Sequence, residues 1–337
     1  MAATARHPVE MGTIGVLGAT SWGTTLAWLL AANGHAVKLL CRTPEEAESV
    51  DRLRGIARLP EVHLPANAAA ALAATPGPLD GCVLAVPAQT LATNLADCGL
   101  DRATPVVNAA KGIELATGRR PSEVIAAAGW SPRAIAIVSG PNLAHEVAKG
   151  QPAAAVVAST SMETALWWQH ALSGPTFRCY RSTDVIGVEL GAASKNVIAI
   201  AAGAALGMGF GANTMSSLIT RGLAEMTRLV VAAGGDAETM RGLAGLGDLT
   251  ATCFSTLSRN NRLGSLLAKG RTTQEAIREI GETVEGAATA PALAAMARHH
   301  QVELPITAEV AAVIAGERTV GEAMVRLLSR DLTIESA

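Results

Sequence analysis

Lys195 stands in the middle of a run of small and apolar residues, Gly187-Val-Glu-Leu-Gly-Ala-Ala-Ser-Lys-Asn-Val-Ile-Ala-Ile-Ala-Ala-Gly203. The run reads as a buried helix carrying one ammonium. An ammonium in apolar surroundings needs a partner or gives up its proton, and lysines are seldom fully buried unpaired. Two readings follow. Lys195 either snorkels to the surface along its aliphatic stem, or it donates and accepts a proton at the mouth of a ligand cleft. Other polar residues bear on the choice. Asp248, within Leu243-Ala-Gly-Leu-Gly-Asp-Leu-Thr-Ala-Thr-Cys253, could orient or tune a lysine. Ser258, Arg259 and Asn260 mark an expected helix start. A guanidinium, an amide and first-turn N–H groups suit a phosphate, although the same residues also describe a solvated helix cap. Glu285, in Thr-Val-Glu-Gly, could bond a ribose or face water.

The N-terminal half supplies the elements that would hold a nucleotide. Thr13-Ile-Gly-Val-Leu17 reads as a strand, Gly18-Ala-Thr-Ser-Trp-Gly23 as a turn, Thr24 to Ala32 as a helix and Ala36 to Cys41 as the next strand. Strand, glycine turn, helix and strand within about 30 residues is the context of a dinucleotide fingerprint. Gly18 and Gly23 are its first and last glycines, and Thr20 occupies the middle position. A threonine there either crowds the pyrophosphate or offers it a hydroxyl. Replacing it with glycine would then tighten or weaken cofactor binding, respectively. The second strand ends at Arg42 instead of an acid, and an arginine there can accommodate a 2′-phosphate. NADPH is therefore expected to serve at least as well as NADH. Asn67 to Ala74 is expected as a helix. Apolar strands near Gly81 to Pro87, Pro105 to Gly112 and Ala134 to Pro141 end in polar or glycine-rich loops. In an open α/β sheet, ligands bind beyond such carboxyl ends. The loops deliver Lys111 and, before a helix over Asn142 to Lys149, backbone N–H groups. Strands over Ala153 to Ala158 and Phe177 to Arg181, with a helix over Met162 to Leu172, close this half.

From Asp184 onward, helical spacing replaces strand patterns. Helices are expected over Asp184 to Ala205, Ala212 to Ala233 and Ala237 to Gly242, and Thr272-Thr-Gln-Glu275 has capping-box character. The chain thus divides into an α/β domain over 11–183 and a helical domain over 184–337. Composition narrows the function classes. The net charge is -2 and aromatic residues are only 3%. That argues against nucleic acid or an anionic membrane surface as partner. The apolar run Val197 to Ala212 is shorter than the ~20 residues of a spanning helix. Met1 to Glu10 shows no apolar signal core. The five cysteines have no CxxC spacing, so inert core thiols and no metal site are expected. A cytoplasmic protein is the expectation.

These stretches together resemble the bacterial NAD(P)-dependent glycerol-3-phosphate dehydrogenase family. The residues that carry the resemblance are 18–27, Ala85-Val-Pro87, Lys111-Gly112, Val138-Ser-Gly-Pro141 and the run 187–203. Leu218 to Leu229, Leu243 to Leu249, Leu257-Ser-Arg-Asn260 and Val284-Glu-Gly286 complete them. The resemblance implies a Rossmann-like N-terminal domain and a C-terminal domain similar to that of 6-phosphogluconate dehydrogenases. It implies NADH or NADPH as cofactor, dihydroxyacetone phosphate as substrate, a homodimer and a role in phospholipid synthesis. It makes Lys195 the proton donor, with Asn196, Asp248 and Thr252 around it. Lys111, Gly140, Asn142, Ser258, Arg259 and Asn260 would contact substrate. Gly18, Ser21, Trp22, Gly23, Arg42, Ala144, Thr283 and Glu285 would line the cofactor, with Lys111 and Arg259 near both ligands. Three residues depart from the family pattern: Thr20, Asn142 where Ser or Thr is common, and Ser194 beside the lysine. Two other readings stay open at this stage: a dehydrogenase of an unphosphorylated hydroxy acid, and a cofactor-binding regulator without turnover.

Overall fold

The computed structural model describes residues 11–331 and 334. The N-terminal stretch read for a signal segment lies outside them. The chain forms two compact units. One takes the chain up to Val86 together with Thr90–Ala110 and Pro121–Val185. The other takes Pro87–Gln89, Lys111–Arg120 and the chain from Ile186 onward.

The first unit is built on a single sheet with strand order β3-β2-β1-β4-β5-β6-β7-β8. Its strands are β1 (Thr13–Leu17), β2 (Ala36–Cys41), β3 (Ala68–Leu72), β4 (Gly81–Leu84), β5 (Val106–Asn108), β6 (Ile135–Ser139), β7 (Ala153–Ala158) and β8 (Phe177–Ser182). β1 to β6 pair parallel throughout; β7 runs antiparallel to β6 and parallel to β8. The glycine turn after β1, Arg42 after β2 and the loops after β4, β5 and β6 therefore leave from one edge. That is the carboxyl edge at which open α/β sheets bind ligands. Helices α1 (Ser21–Ala32), α2 (Pro44–Leu53), α3 (Leu91–Asp97), α4 (Pro121–Ala127), α5 (Ala144–Ala148) and α6 (Met162–Leu172) belong to this unit. Its core gathers Ile14, Val16, Leu26, Leu30, Leu39, Val83, Val107, Trp168 and Phe177.

Two expectations need correction. The stretch 67–74 is not helical: Ala68–Leu72 is strand β3, paired in register with Val37–Cys41. Alanine favours a helix by only tenths of a kcal/mol per residue. A segment this short cannot repay helix nucleation, whereas β2 offers a ready ladder. Helix α1 also begins at Ser21, inside the glycine turn, and not at Thr24.

The second unit is helical. Its helices are α7 (Val185–Gly207), α8 (Ala212–Ala232), α9 (Ala237–Arg241), α10 (Asp248–Phe254), α11 (Arg259–Ala268), α12 (Thr273–Ile280), α13 (Glu285–His299), α14 (Pro305–Ile314) and α15 (Val320–Leu328). A π-helical turn, Leu243–Gly247, leads into α10. Helix α7 is the core element and is longer than the run counted from Val197. It has the length and hydropathy of a membrane span, but 89% of its most apolar window is buried inside the protein. Its apolar surface already has partners: Leu190, Val197, Ile198 and Ile200 pack with Met226, Leu229, Leu263 and Leu293. Where helices cross closely, glycine is required. A Cβ on Gly203 would sit 1.9 Å from the Asn261 carbonyl oxygen, and one on Gly264 1.9 Å from that of Ile200.

Candidate active site

The glycine turn shows why two of its three fingerprint positions need glycine and the third does not. Gly18 has φ +110°, and a Cβ on Gly23 would lie 2.2 Å from the Gly18 carbonyl oxygen. Thr20, in contrast, has φ −86° and ψ 166°, an extended conformation open to any residue. It is the N-cap of α1. Its hydroxyl accepts from the Gly23 N–H at 2.9 Å and donates to the Ala85 carbonyl at 3.0 Å. Neither expectation for Thr20 describes this role: the hydroxyl is committed to the helix start and to the end of β4.

Ser21 and Trp22 form the first turn of α1, which contains no acidic residue. Ser21 accepts from the Thr25 hydroxyl through its carbonyl, and Trp22 packs tilted against Phe177 at 6.3 Å. Arg42 is exposed, and its backbone N–H donates to Glu46 at 2.8 Å. Arg58, which sequence reasoning missed, reaches from a polar loop to donate to the Ala19 carbonyl at 2.6 Å. The bare first turn of α1 and the Arg58 guanidinium beside it fit the phosphates of a dinucleotide. In the β6 loop, Gly140 leaves room that a Cβ would take from the Ala154 carbonyl, 2.8 Å away. Asn142 donates to that same carbonyl at 3.0 Å, and its Oδ1 is buried without a hydrogen-bond partner. Ala144 opens α5, and its carbonyl accepts from Thr25.

In the helical unit, the residues marked out around Lys195 converge. Helix α7 carries Lys195, 6% exposed, and Asn196, 4% exposed. Helix α10 faces it with Asp248 and Thr252 one turn apart. Lys195 Nζ lies 2.9 Å from Asp248 Oδ1 and donates to the Thr252 hydroxyl at 2.8 Å. The Thr252 hydroxyl in turn donates to the Asp248 carbonyl at 2.6 Å. Lys111 Nζ sits 2.6 Å from the other carboxylate oxygen, Asp248 Oδ2. One buried carboxylate thus bridges two ammoniums. Lys195 does not snorkel; it is paired inside the unit.

The electrostatics follow from these distances. Burial lowers the Lys195 pKa to about 8; Asp248 opposes the shift, and the second ammonium, Lys111, adds to it. For Asp248, burial by itself would raise the pKa. The two ammoniums and their bonds outweigh burial and hold it below the usual carboxylate range. Glu285, first residue of α13, accepts from the Ala88 N–H at 3.3 Å. Burial raises its pKa against the pull of Arg259, Lys195 and Lys111. All five cysteines are buried and free, and burial pushes the Cys253 thiol beside the cluster up to about 12. Among the described residues, no group of three or more His, Cys, Asp or Glu is arranged to hold a metal.

The Ser258 loop combines capping and presentation. Ser258 is the N-cap of α11 and accepts from the Asn261 N–H. Asn260 is a structural bridge. Its amide donates to Asn196 Oδ1 at 2.9 Å, and its carbonyl oxygen accepts from the Gly286 N–H at 3.0 Å. Arg259 remains part-exposed, 3.6 Å from Glu282. Thr283 is exposed in the loop before α13. Ser194 is buried, and its hydroxyl has no hydrogen-bond partner.

A parallel sheet with a glycine turn at its carboxyl edge, joined in one chain to a helical unit that buries a lysine–carboxylate pair, defines a dinucleotide-dependent dehydrogenase. The N-terminal pattern of NAD-dependent glycerol-3-phosphate dehydrogenase matches residues 13–165, and the C-terminal pattern matches 184–325. The chain belongs to that family. It is 48% identical to a glycerol-3-phosphate dehydrogenase [NAD(P)+] of Thermobifida fusca, covering 95% of this chain and 97% of the relative. A relative of the same name from Moorella thermoacetica is 42% identical over 96% of this chain and 97% of its own. A crystal structure of glycerol-3-phosphate dehydrogenase from Coxiella burnetii superposes with a TM-score of 0.89 at 35% identity, covering 95% of this chain and 99% of that one.

Proposed function

We propose that Lys195 is the proton-transfer group for the reaction of this family, the reversible NAD(P)H-dependent reduction of dihydroxyacetone phosphate to sn-glycerol 3-phosphate. The observation that carries this reading is the ammonium's hydrogen bonding. A protonated lysine has three donors. Asp248 and Thr252 take two of them, which leaves one for a substrate oxygen. When bound, the reduced nicotinamide supplies a hydride to the C2 carbonyl carbon. Lys195 stabilises the negative charge that develops on the carbonyl oxygen and gives it the proton. In the reverse direction the neutral amine takes that proton back. Asp248 holds Lys195 in place with Thr252, and Asn196 ties the middle of α7 to the first turn of α11 through Asn260.

Arg259, with Ser258 and the first turn of α11, anchors the substrate phosphate. Lys111, Gly140 and Asn142 complete the substrate contacts. Phosphate binding at the non-reacting end of the substrate then positions the carbonyl for reaction. Gly18, Ser21, Trp22, Gly23, Arg42, Ala144, Thr283 and Glu285 hold the cofactor, with Lys111 and Arg259 serving both ligands. The cofactor domain spans 11–183 and the substrate domain 184–337, the former lending Lys111 to the latter. The protein acts as a cytoplasmic homodimer whose product enters phospholipid synthesis.

The test is oxidation of NADPH and of NADH by purified protein, with and without dihydroxyacetone phosphate. Rapid oxidation that depends on the phosphorylated ketone is expected. Equal rates with an unphosphorylated hydroxy-acid precursor would return the reading to a different dehydrogenase, and folded protein without turnover would return it to a regulator.

A further inference from the structure

The segment Lys111–Arg120 leaves the sheet unit after β5, joins the helical unit, and returns to the sheet unit at Pro121. Each of its ends carries a cation, and each cation meets a buried carboxylate of the helical unit. Lys111 reaches Asp248, whose side chain is 3% exposed. Arg120 reaches Glu189 at 2.8 Å, and the Glu189 side chain is 1% exposed. The mechanism uses the first pair and leaves the second unexplained. A deeply buried glutamate is costly unless its partner is held in place.

We propose that the Arg120–Glu189 ion pair is a positioning device that sets where Lys111 stands relative to Lys195. Glu189 lies on α7, six residues before Lys195 and seven before Asn196. Residues seven apart share a helix face about 10 Å apart along the axis. Asn196 donates to the Lys111 carbonyl at 3.3 Å. The segment is therefore tied at both ends to one face of the helix that bears Lys195. Its interior transmits that anchoring. The Glu114 N–H donates to the Arg119 carbonyl at 3.0 Å, and the Gly118 N–H to the Glu114 carbonyl at 2.8 Å. Arg120 thus follows one side of a loop base closed between Glu114 and Arg119, and Ile113, fully buried in the helical core, precedes the other side. Gln89 grips the other side, donating to the Ile113 carbonyl at 2.6 Å and accepting from the Leu115 N–H at 2.9 Å.

The inference rests on the reading of Lys111 as a substrate-site cation, and the experiment separates the two. Arg120→Ala, Lys111→Ala and the double variant are compared by kcat/KM for dihydroxyacetone phosphate, by thermal midpoint and by pH profile. Arg120→Ala is expected to lower kcat/KM by roughly ten- to a hundredfold, the scale of an ångström-sized misplacement. In the Lys111→Ala background the same change should cost less than about twofold, because residues acting through one another are not additive. The pH limb assigned to Lys195 should rise in both single variants as the Lys111 charge withdraws. The other groups facing Lys195, namely Asp248 and Cys253 on α10 and Glu285 on α13, are unchanged. If Arg120→Ala does not fold, Arg120→Lys, which keeps the charge and loses the fork, should show a smaller loss with the same dependence on Lys111. A full additional loss in the Lys111→Ala background, or a lower thermal midpoint with unchanged kinetics, would overturn the positioning role. Unimpaired kcat/KM in Lys111→Ala alone would overturn the reading of Lys111 itself.

Discussion

At Gly18–Gly23 the polar groups on offer are backbone amides, ordered by the Thr20 cap and by the end of the neighbouring strand. Around Lys195 they are the charged side chains of Lys111, Lys195 and Asp248 with the Thr252 hydroxyl between them, all but Lys111 almost wholly buried. The first site works through dipoles that cost little to desolvate and tolerate an imperfect motif. The second works through full charges in a poorly solvated setting, where losing one member strands another. Disruption should therefore be mild at the turn and severe at the cluster.

The largest effect is expected from Lys195→Ala. Removing a general acid typically costs roughly a hundred- to ten-thousandfold, and kcat should carry that loss while KM for dihydroxyacetone phosphate changes little. Near-normal turnover would end the proton-donor role and erase the contrast between the sites. Arg259→Ala comes next. The phosphate loses a charge-assisted fork, so KM should rise roughly ten- to a hundredfold with a smaller change in kcat. Steady-state kinetics showing an unchanged KM would place the phosphate elsewhere.

The pH dependence sharpens the charged half of the comparison. Lys195 must be protonated to donate, and its pKa lies at about 8. The reduction rate should fall as pH rises through that value. Oxidation of glycerol 3-phosphate needs the neutral amine and should rise over the same window. A pH–rate profile flat from 7 to 9 in both directions would contradict the assignment.

Thr20→Gly should be the mildest change. Glycine is itself a tolerable cap, costing a few tenths of a kcal/mol, and the lost bond to Ala85 adds about 1 kcal/mol. Slightly lower thermal stability and cofactor affinity within about threefold of wild type are expected. A large gain in affinity by titration would show that the side chain obstructs the phosphates after all.

Much of the sheet unit was legible because its signals are local. Strand, turn and helix each fall within a few residues, and the carboxyl-edge rule gathers Gly18, Arg42, Lys111 and Gly140 without coordinates. The misreading of 67–74 shows the limit: alanine has no strong preference, and β2 decided the outcome. Lys195 and Asp248 could be singled out as polar groups in apolar runs. The sequence alone established that this chain has a dinucleotide-type turn and a helical half with an ammonium in its most apolar helix. Both follow from periodicity and from the cost of burying charge. Tertiary structure alone decided that one carboxylate bridges two lysines, that burial outweighs pairing in the pKa of Lys195, and that the Thr20 hydroxyl meets the Ala85 carbonyl at the end of β4. It also paired Arg120 with Glu189. Those outcomes depend on distances of a few ångströms between residues tens to more than a hundred positions apart, and no local pattern encodes them.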